Sequence, residues 1–127
     1  KKNCPDNLYL YGHLDNMDAI WPMVGLLVIP SRYEGLPMAA LEAMARGIPV
    51  LAYRVGALNK LIKNNINGWL VNPGDSNLLA DHVNDWCEMP KSSRHCLQLS
   101  AKRTIENNFS SMVAIPKIIA TYKSFAR

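Results

Sequence analysis

The stretch Leu26-Leu27-Val28-Ile29-Pro30-Ser31-Arg32-Tyr33-Glu34-Gly35-Leu36-Pro37-Met38-Ala39-Ala40-Leu41-Glu42-Ala43-Met44-Ala45-Arg46-Gly47-Ile48-Pro49-Val50 decides the fold of this chain. Leu26 to Ile29 has no polar interruption and reads as a strand buried on both faces. It stops at Pro30, which has no N–H to give a sheet ladder. The loop Ser31 to Leu36 leads into a helix that runs from Pro37, at the favoured first helical position, to Arg46. Gly47 is its C-terminal stop. Val50 to Tyr53 makes the next strand, and a strand-loop-helix-strand unit of this kind builds a parallel sheet covered by helices.

The same alternation continues on both sides. Upstream, Leu8 to Tyr11 reads as a strand ending at Gly12. Asp15 to Met23 follows as a short helix, with Asp15 as its cap and Pro22 weakening its last turn. Downstream, Leu58 to Lys63 reads as a short helix and Trp69 to Val71 as a further strand introduced by the turn Asn67-Gly68. After Asn72-Pro73-Gly74-Asp75 the chain turns helical. Asp75 or Ser76 caps a helix carrying Leu78, Leu79, His82, Val83 and Trp86 at helical spacing. Ser92 to Asn107 and Ser110 to Phe125 are the last two helices, the second expected to kink at Pro116. The expected class is α/β, a Rossmann-like parallel sheet with helices on both faces. Open sheets of this kind have about five or six strands. The first element begins almost at Lys1, so residues 1–127 are expected to form a partial domain, truncated on its N-terminal side.

A chain of 127 residues with 49% hydrophobic content is enough to close a core as one domain. Its apolar runs fall short of the roughly 18 residues needed to cross a bilayer, and no leader pattern precedes them. Cys4, Cys87 and Cys96 suggest neither a disulfide framework nor a zinc site. A cytosolic setting is therefore expected. Lys and Arg exceed Asp and Glu by 14 to 10, and the basic residues are scattered rather than blocked, which argues against nucleic acid as a partner. His13, His82 and His95 fall in separate elements without metal-ligand spacing. Nucleophile elbows and Gly-rich phosphate loops are missing, which argues against a hydrolase, a kinase and a dehydrogenase.

Chemistry concentrates in the opening stretch. From Met38 to Ala45 the helix is apolar on every side except at Glu42, and a helix apolar all round is normally buried. Glu42 is thus expected to be a charge in a dry place, in need of donors such as sugar hydroxyls. The alternative is a simple i,i+4 pair with Arg46 on a partly covered face. Glu34 sits in the loop beyond the C-terminal end of a strand, where open α/β sheets bind ligands. Gly35 lets the backbone approach a ligand closely, and the amides of Leu36 and Met38 at the helix start suit a phosphate, while Pro37 contributes none. Alternatively, Glu34 is a solvated first-turn carboxylate complementing the helix dipole.

Glu34, seven intervening residues and Glu42, set in this framework, resemble the signature of family 4 retaining glycosyltransferases. The resemblance continues through Val55-Gly56-Ala57, Asn67-Gly68-Trp69-Leu70-Val71, Pro73-Gly74-Asp75, Phe109-Ser110 and Tyr122. It implies the second, C-terminal half of a GT-B fold, with two Rossmann-like domains facing across a cleft. It also implies transfer of a sugar from a nucleoside diphosphate with retention and without a bound metal or other cofactor. By this resemblance Glu34 is the catalytic-site carboxylate that holds hydroxyls of the donor sugar, and Glu42 holds the ribose hydroxyls. The backbone of Gly35, Leu36, Pro37 and Met38 faces the sugar and the diphosphate. Ser31 and Arg32 border the loop, with Arg32 in reach of phosphate or merely solvated. Leu8 to Gly12 either places backbone against the base or is a core strand and turn.

Two features depart from the family pattern. The basic pair that usually neutralises the diphosphate has no counterpart before Leu8, so these residues alone are expected to be inactive. The loop usually reading Gly-Gly-x-x-Glu is Gly56-Ala57-Leu58-Asn59-Lys60, so Lys60 takes no role. Tyr53 and Arg54 precede it either as donor or acceptor contacts or as surface residues. The expected function is transfer of a hexose, from a UDP-sugar, to a glycan or lipid-linked acceptor of lipopolysaccharide, capsule or related polysaccharide. The expected partners are the nucleotide-sugar donor, that acceptor and the N-terminal domain of the same enzyme. The last helix, with Val113, Ile115, Ile118, Ile119, Tyr122 and Phe125 on one side and Lys117, Lys123 and Arg127 on the other, suits protein packing or peripheral contact with the inner membrane face. A sugar-nucleotide epimerase of related fold and a non-catalytic nucleotide-sugar-binding module are the alternatives.

Overall fold

The computed structural model describes residues 7–125, and side-chain surroundings as far as residue 120. Lys1, Lys2, Cys4 and Arg127 lie outside the described residues, as do the side-chain positions of Tyr122, Lys123 and Phe125. Three parallel strands form the sheet: β1 (Leu27–Ile29), β2 (Val50–Tyr53) and β3 (Gly68–Val71), in the order β1-β2-β3. Leu27 pairs with Val50, and Val50 with Gly68. Among the described residues five α-helices accompany them: α1 (Met38–Ala45), α2 (Leu58–Leu61), α3 (Ser76–Glu88), α4 (Lys91–Asn108) and α5 (Ser111–Phe125).

The period-two alternation of strand side chains divides the core into two layers. Val50, Ala52 and Leu70 face α1, α2 and Ala101 of α4, joined there by Ile29, Ala43 and Met44. Leu51, Tyr53, Trp69 and Val71 face the other way, against Trp86 of α3 and Leu97 of α4. Helices therefore cover both faces, as the sequence implies. The middle strand β2 is buried along its whole length, which explains its uninterrupted apolar run. In β1 only Ile29 is fully buried, a correction to the expectation of burial on both faces. Its cause is that β1 has a neighbour on one side only among the described residues.

The N-terminal expectations fail more broadly. Leu8 to Tyr11 forms no strand; Leu8, Tyr9, Leu10 and Tyr11 are 51%, 71%, 80% and 61% exposed. In a doubly wound sheet of order 3-2-1-4-5-6, strands that are neighbours in both sequence and space correspond to 4-5-6. The strand before them belongs at the far edge, two strands away from β1, and has nothing to pair with here. The helix expected over Asp15 to Met23 is reduced to turns and a single 3-10 turn, Trp21–Met23, with Pro22 in its first positions. That segment is held instead by Arg46, whose Nη2 donates to Asp18 Oδ1 at 2.8 Å while its guanidinium lies 5.5 Å from the centre of the Trp21 ring.

The remaining boundaries follow from local chemistry. Pro37 precedes α1 as its N-cap rather than opening the helix, and Gly47, in the left-handed region at φ +76°, ends it. The Asp75 carboxylate accepts from the Leu78 amide at 3.0 Å, capping α3. Asn67, fully buried ahead of β3, accepts from the Lys63 amide at 2.7 Å and donates to the Leu61 carbonyl and the Thr104 hydroxyl. It ties the end of α2 to α4. Pro116 is accommodated inside α5.

Candidate functional site

Beyond the C-terminal ends of β1 and β2 lies an open hollow of about 600 Å³, lined by Arg32, Tyr33, Glu34, Gly35, Val55 and Gly56. It sits where a doubly wound sheet receives its ligand. Two segments make it: the loop from β1 to α1 and the turn from β2 to α2. They are joined by the Ala57 amide, which donates to the Gly35 carbonyl at 3.0 Å. Glu34 is half-buried, Arg32 is exposed, and Tyr33, 93% exposed, stands at the rim. The next amides along, those of Leu36, Met38 and Ala39, have no hydrogen-bond partner among the described residues. They are the orphan donors of a helix start, which carries partial positive charge.

Of the residues singled out from the sequence, Arg32, Glu34 and Gly35 line the hollow. Ser31 and Pro37 are half-buried and flank it, and Leu36 and Met38 are 38% and 65% exposed at the start of α1. Glu42 does not join them. It is exposed and does not line the hollow, so the expected dry setting for this carboxylate is overturned. The cause is the phase of α1. Ala40, Ala43 and Met44 are its buried face, and Glu42, two positions from Ala40 and from Met44, lies on the opposite side. The alternative pairing with Arg46 is also not made: Arg46 donates to the Glu42 backbone carbonyl at 3.2 Å, and its charge goes to Asp18.

Tyr33, Val55 and Gly56 are lining residues to which the sequence assigned no role. The signal for Val55 and Gly56 was available, since the turn after β2 leaves the sheet beside the loop after β1. Leu8 to Gly12 contributes nothing to the hollow, and neither Tyr53, buried under the sheet, nor Arg54 lines it. Two further hollows lie elsewhere. One of about 490 Å³ adjoins Trp69, Met89 and Leu97; another, of about 420 Å³, adjoins Asp18, Arg46 and Gln98. Neither is at the C-terminal strand ends. Among the described residues no group of three or more His, Cys, Asp or Glu side chains could hold a metal ion. No helix among them is long and apolar enough to cross a membrane.

Comparison with known proteins gives the chain its family and fold. An uncharacterised glycosyltransferase of Methanocaldococcus jannaschii is 32% identical over 86% of this chain and 28% of its own length. The UDP-Gal:alpha-D-GlcNAc-diphosphoundecaprenol alpha-1,3-galactosyltransferase of Escherichia coli is 28% identical over 94% of this chain and 30% of its own. Among solved structures, HepE of Anabaena in complex with UDP-glucose superimposes with a TM-score of 0.75 at 25% identity, covering 83% of this chain and 29% of that one. The chain thus spans about three-tenths of the length of these three proteins. The likeness makes the three-stranded sheet the Rossmann-like C-terminal half of a GT-B fold, as the sequence resemblance implied. With the profile of the family described as glycosyl transferases group 1 matching residues 1–103, the chain belongs to that family of glycosyltransferases.

Proposed function

We propose that this chain is the donor-side portion of a retaining glycosyltransferase that moves a hexose from a UDP-sugar to a glycan acceptor during synthesis of capsule, lipopolysaccharide or a related polysaccharide. The observation that carries the reading is Glu34 in a hollow at the C-terminal strand ends, beside unpartnered amides at the start of α1. A carboxylate there accepts hydrogen bonds from sugar hydroxyls, each charge-assisted bond contributing about 1.5 to 3 kcal/mol. The amides of Leu36 and Met38 receive the diphosphate as its charge grows on leaving, with Arg32 beside them and no metal required. The choice of UDP is supported by the donor named for the galactosyltransferase relative and by the ligand of HepE.

Glu42 enters on a different ground. Its exposure removes the buried-charge rationale, and a contact with the ribose rests on its spacing from Glu34 within the family signature. The N-terminal domain and a membrane-borne acceptor are proposed partners on the same footing of likeness.

The test is turnover and donor affinity of the full-length enzyme. Glu34→Ala is expected to lower turnover about tenfold or more, the loss of one charge-assisted hydrogen bond or two. Glu42→Ala is expected to weaken binding of UDP itself. Unchanged values for Glu34→Ala remove the donor site from this hollow, and unchanged UDP binding in Glu42→Ala removes the ribose contact. Product analysis without acceptor separates transfer from epimerisation, since an epimerase converts its nucleotide sugar alone.

A further inference from the structure

We propose that Gly56 is the positioning residue for Glu34, a floor whose lack of a side chain sets the height of the donor loop; this rests on the donor reading of the hollow. Gly56 follows β2 in the left-handed region at φ +51°. A Cβ built there would overlap the carbonyl oxygen of Glu34 and stand 2.8 Å from that of Gly35. Both are backbone atoms, so a side chain cannot be accommodated by a rotamer change, and the two backbone segments must move apart. The contact is backbone against backbone at the residue whose carboxylate meets the donor.

The next residue supplies the complementary tie. The Ala57 N–H donates to the Gly35 carbonyl at 3.0 Å, so the loop is held down at one point and kept from sinking at the adjacent one. Ala57 has φ −75°, a conformation open to any residue, whereas Gly56 does not. That difference confines the demand for glycine in this turn to position 56. Displacements of about 1 Å at a group contacting substrate cost on the order of a hundredfold in rate. Relieving the overlap at the Glu34 carbonyl calls for a separation of the two segments of about that size.

The experiment compares Gly56→Ala, Glu34→Ala and Gly47→Ala in the full-length enzyme. Gly47 also has positive φ, at +76°, but lies at the far end of α1, where the nearest atom to a Cβ would be the Gln98 carbonyl oxygen at 3.3 Å. Gly47→Ala therefore reports the cost of an alanine in left-handed backbone away from the donor loop. Turnover of Gly56→Ala is expected to fall about tenfold or more, matching Glu34→Ala, with Gly47→Ala within about twofold of the parent at a temperature where all are folded. Affinity for UDP alone is expected to hold in Gly56→Ala, while the added affinity of UDP-glucose over UDP is lost. Hydrogen exchange at the Ala57 amide is expected to quicken.

Turnover of Gly56→Ala equal to that of Gly47→Ala overturns the proposal, as does an Ala57 amide that stays protected. Parallel loss of UDP and UDP-glucose binding also overturns it, because that is collapse of the site and not displacement of Glu34. If Glu34→Ala itself leaves turnover unchanged, the donor reading falls, whatever Gly56→Ala does; if only Gly56→Ala leaves it unchanged, the donor reading stands and the positioning role alone is lost.

Discussion

Asn67 shows how a single polar residue organises this chain. It is fully buried, yet its amide group makes one bond to the Lys63 N–H and two bonds through Nδ2, to the Leu61 carbonyl and the Thr104 hydroxyl. Asn67→Ala leaves those partners without it inside the protein, and the cost of each orphaned buried group is about 1 to 3 kcal/mol. Urea denaturation of the variant should show a loss of that order, with no change in slope. Asn67-Gly68 was legible in the sequence as a turn, but its role as a clamp was not, because Thr104 lies 37 positions away. Glu42 was misread for a different physical reason. A helix apolar all round has no phase, so nothing in Met38 to Ala45 says which side meets the sheet, and only the packing of Ala40, Ala43 and Met44 decides it. Arg32, Glu34 and Gly35 could be placed because a strand end fixes where its loop emerges, whereas Val55 and Gly56 reach the same hollow only through the neighbouring strand.

At the scale of elements, the segments read correctly are those whose pairing strands or caps are present among the described residues. The run Val50 to Tyr53 is buried on both faces by its position between β1 and β3, and Asp75 caps α3 from its immediate neighbour in sequence. Asp75→Ala removes the acceptor of the Leu78 amide and should destabilise the fold by about 1 kcal/mol, measured by thermal unfolding and partly restored by Asp75→Ser. Leu8 to Tyr11 has the composition of a strand without the circumstances of one, since a strand exists only as one side of a ladder. Its apolar residues are consequently exposed.

For the molecule as a whole, other apolar side chains are exposed as well: Met38 at the start of α1, and Met112, Ile115, Ile118 and Ile119 along α5. The free side of β1 adds unpaired backbone groups among the described residues. Residues 1–127 produced alone should therefore bind a hydrophobic dye and sediment as concentration-dependent assemblies, and both effects should be weaker in the full-length enzyme. Dye binding and sedimentation velocity check this; a non-binding monomer would show that the exposed surfaces close on themselves. The strand order carries a last consequence. Leu27 meets Val50 and Val50 meets Gly68, so every partner arrives about twenty residues after the strand that awaits it. A nascent polypeptide can then enlarge this sheet by one step at a time as it leaves the ribosome, never holding a finished strand idle while a distant one is made.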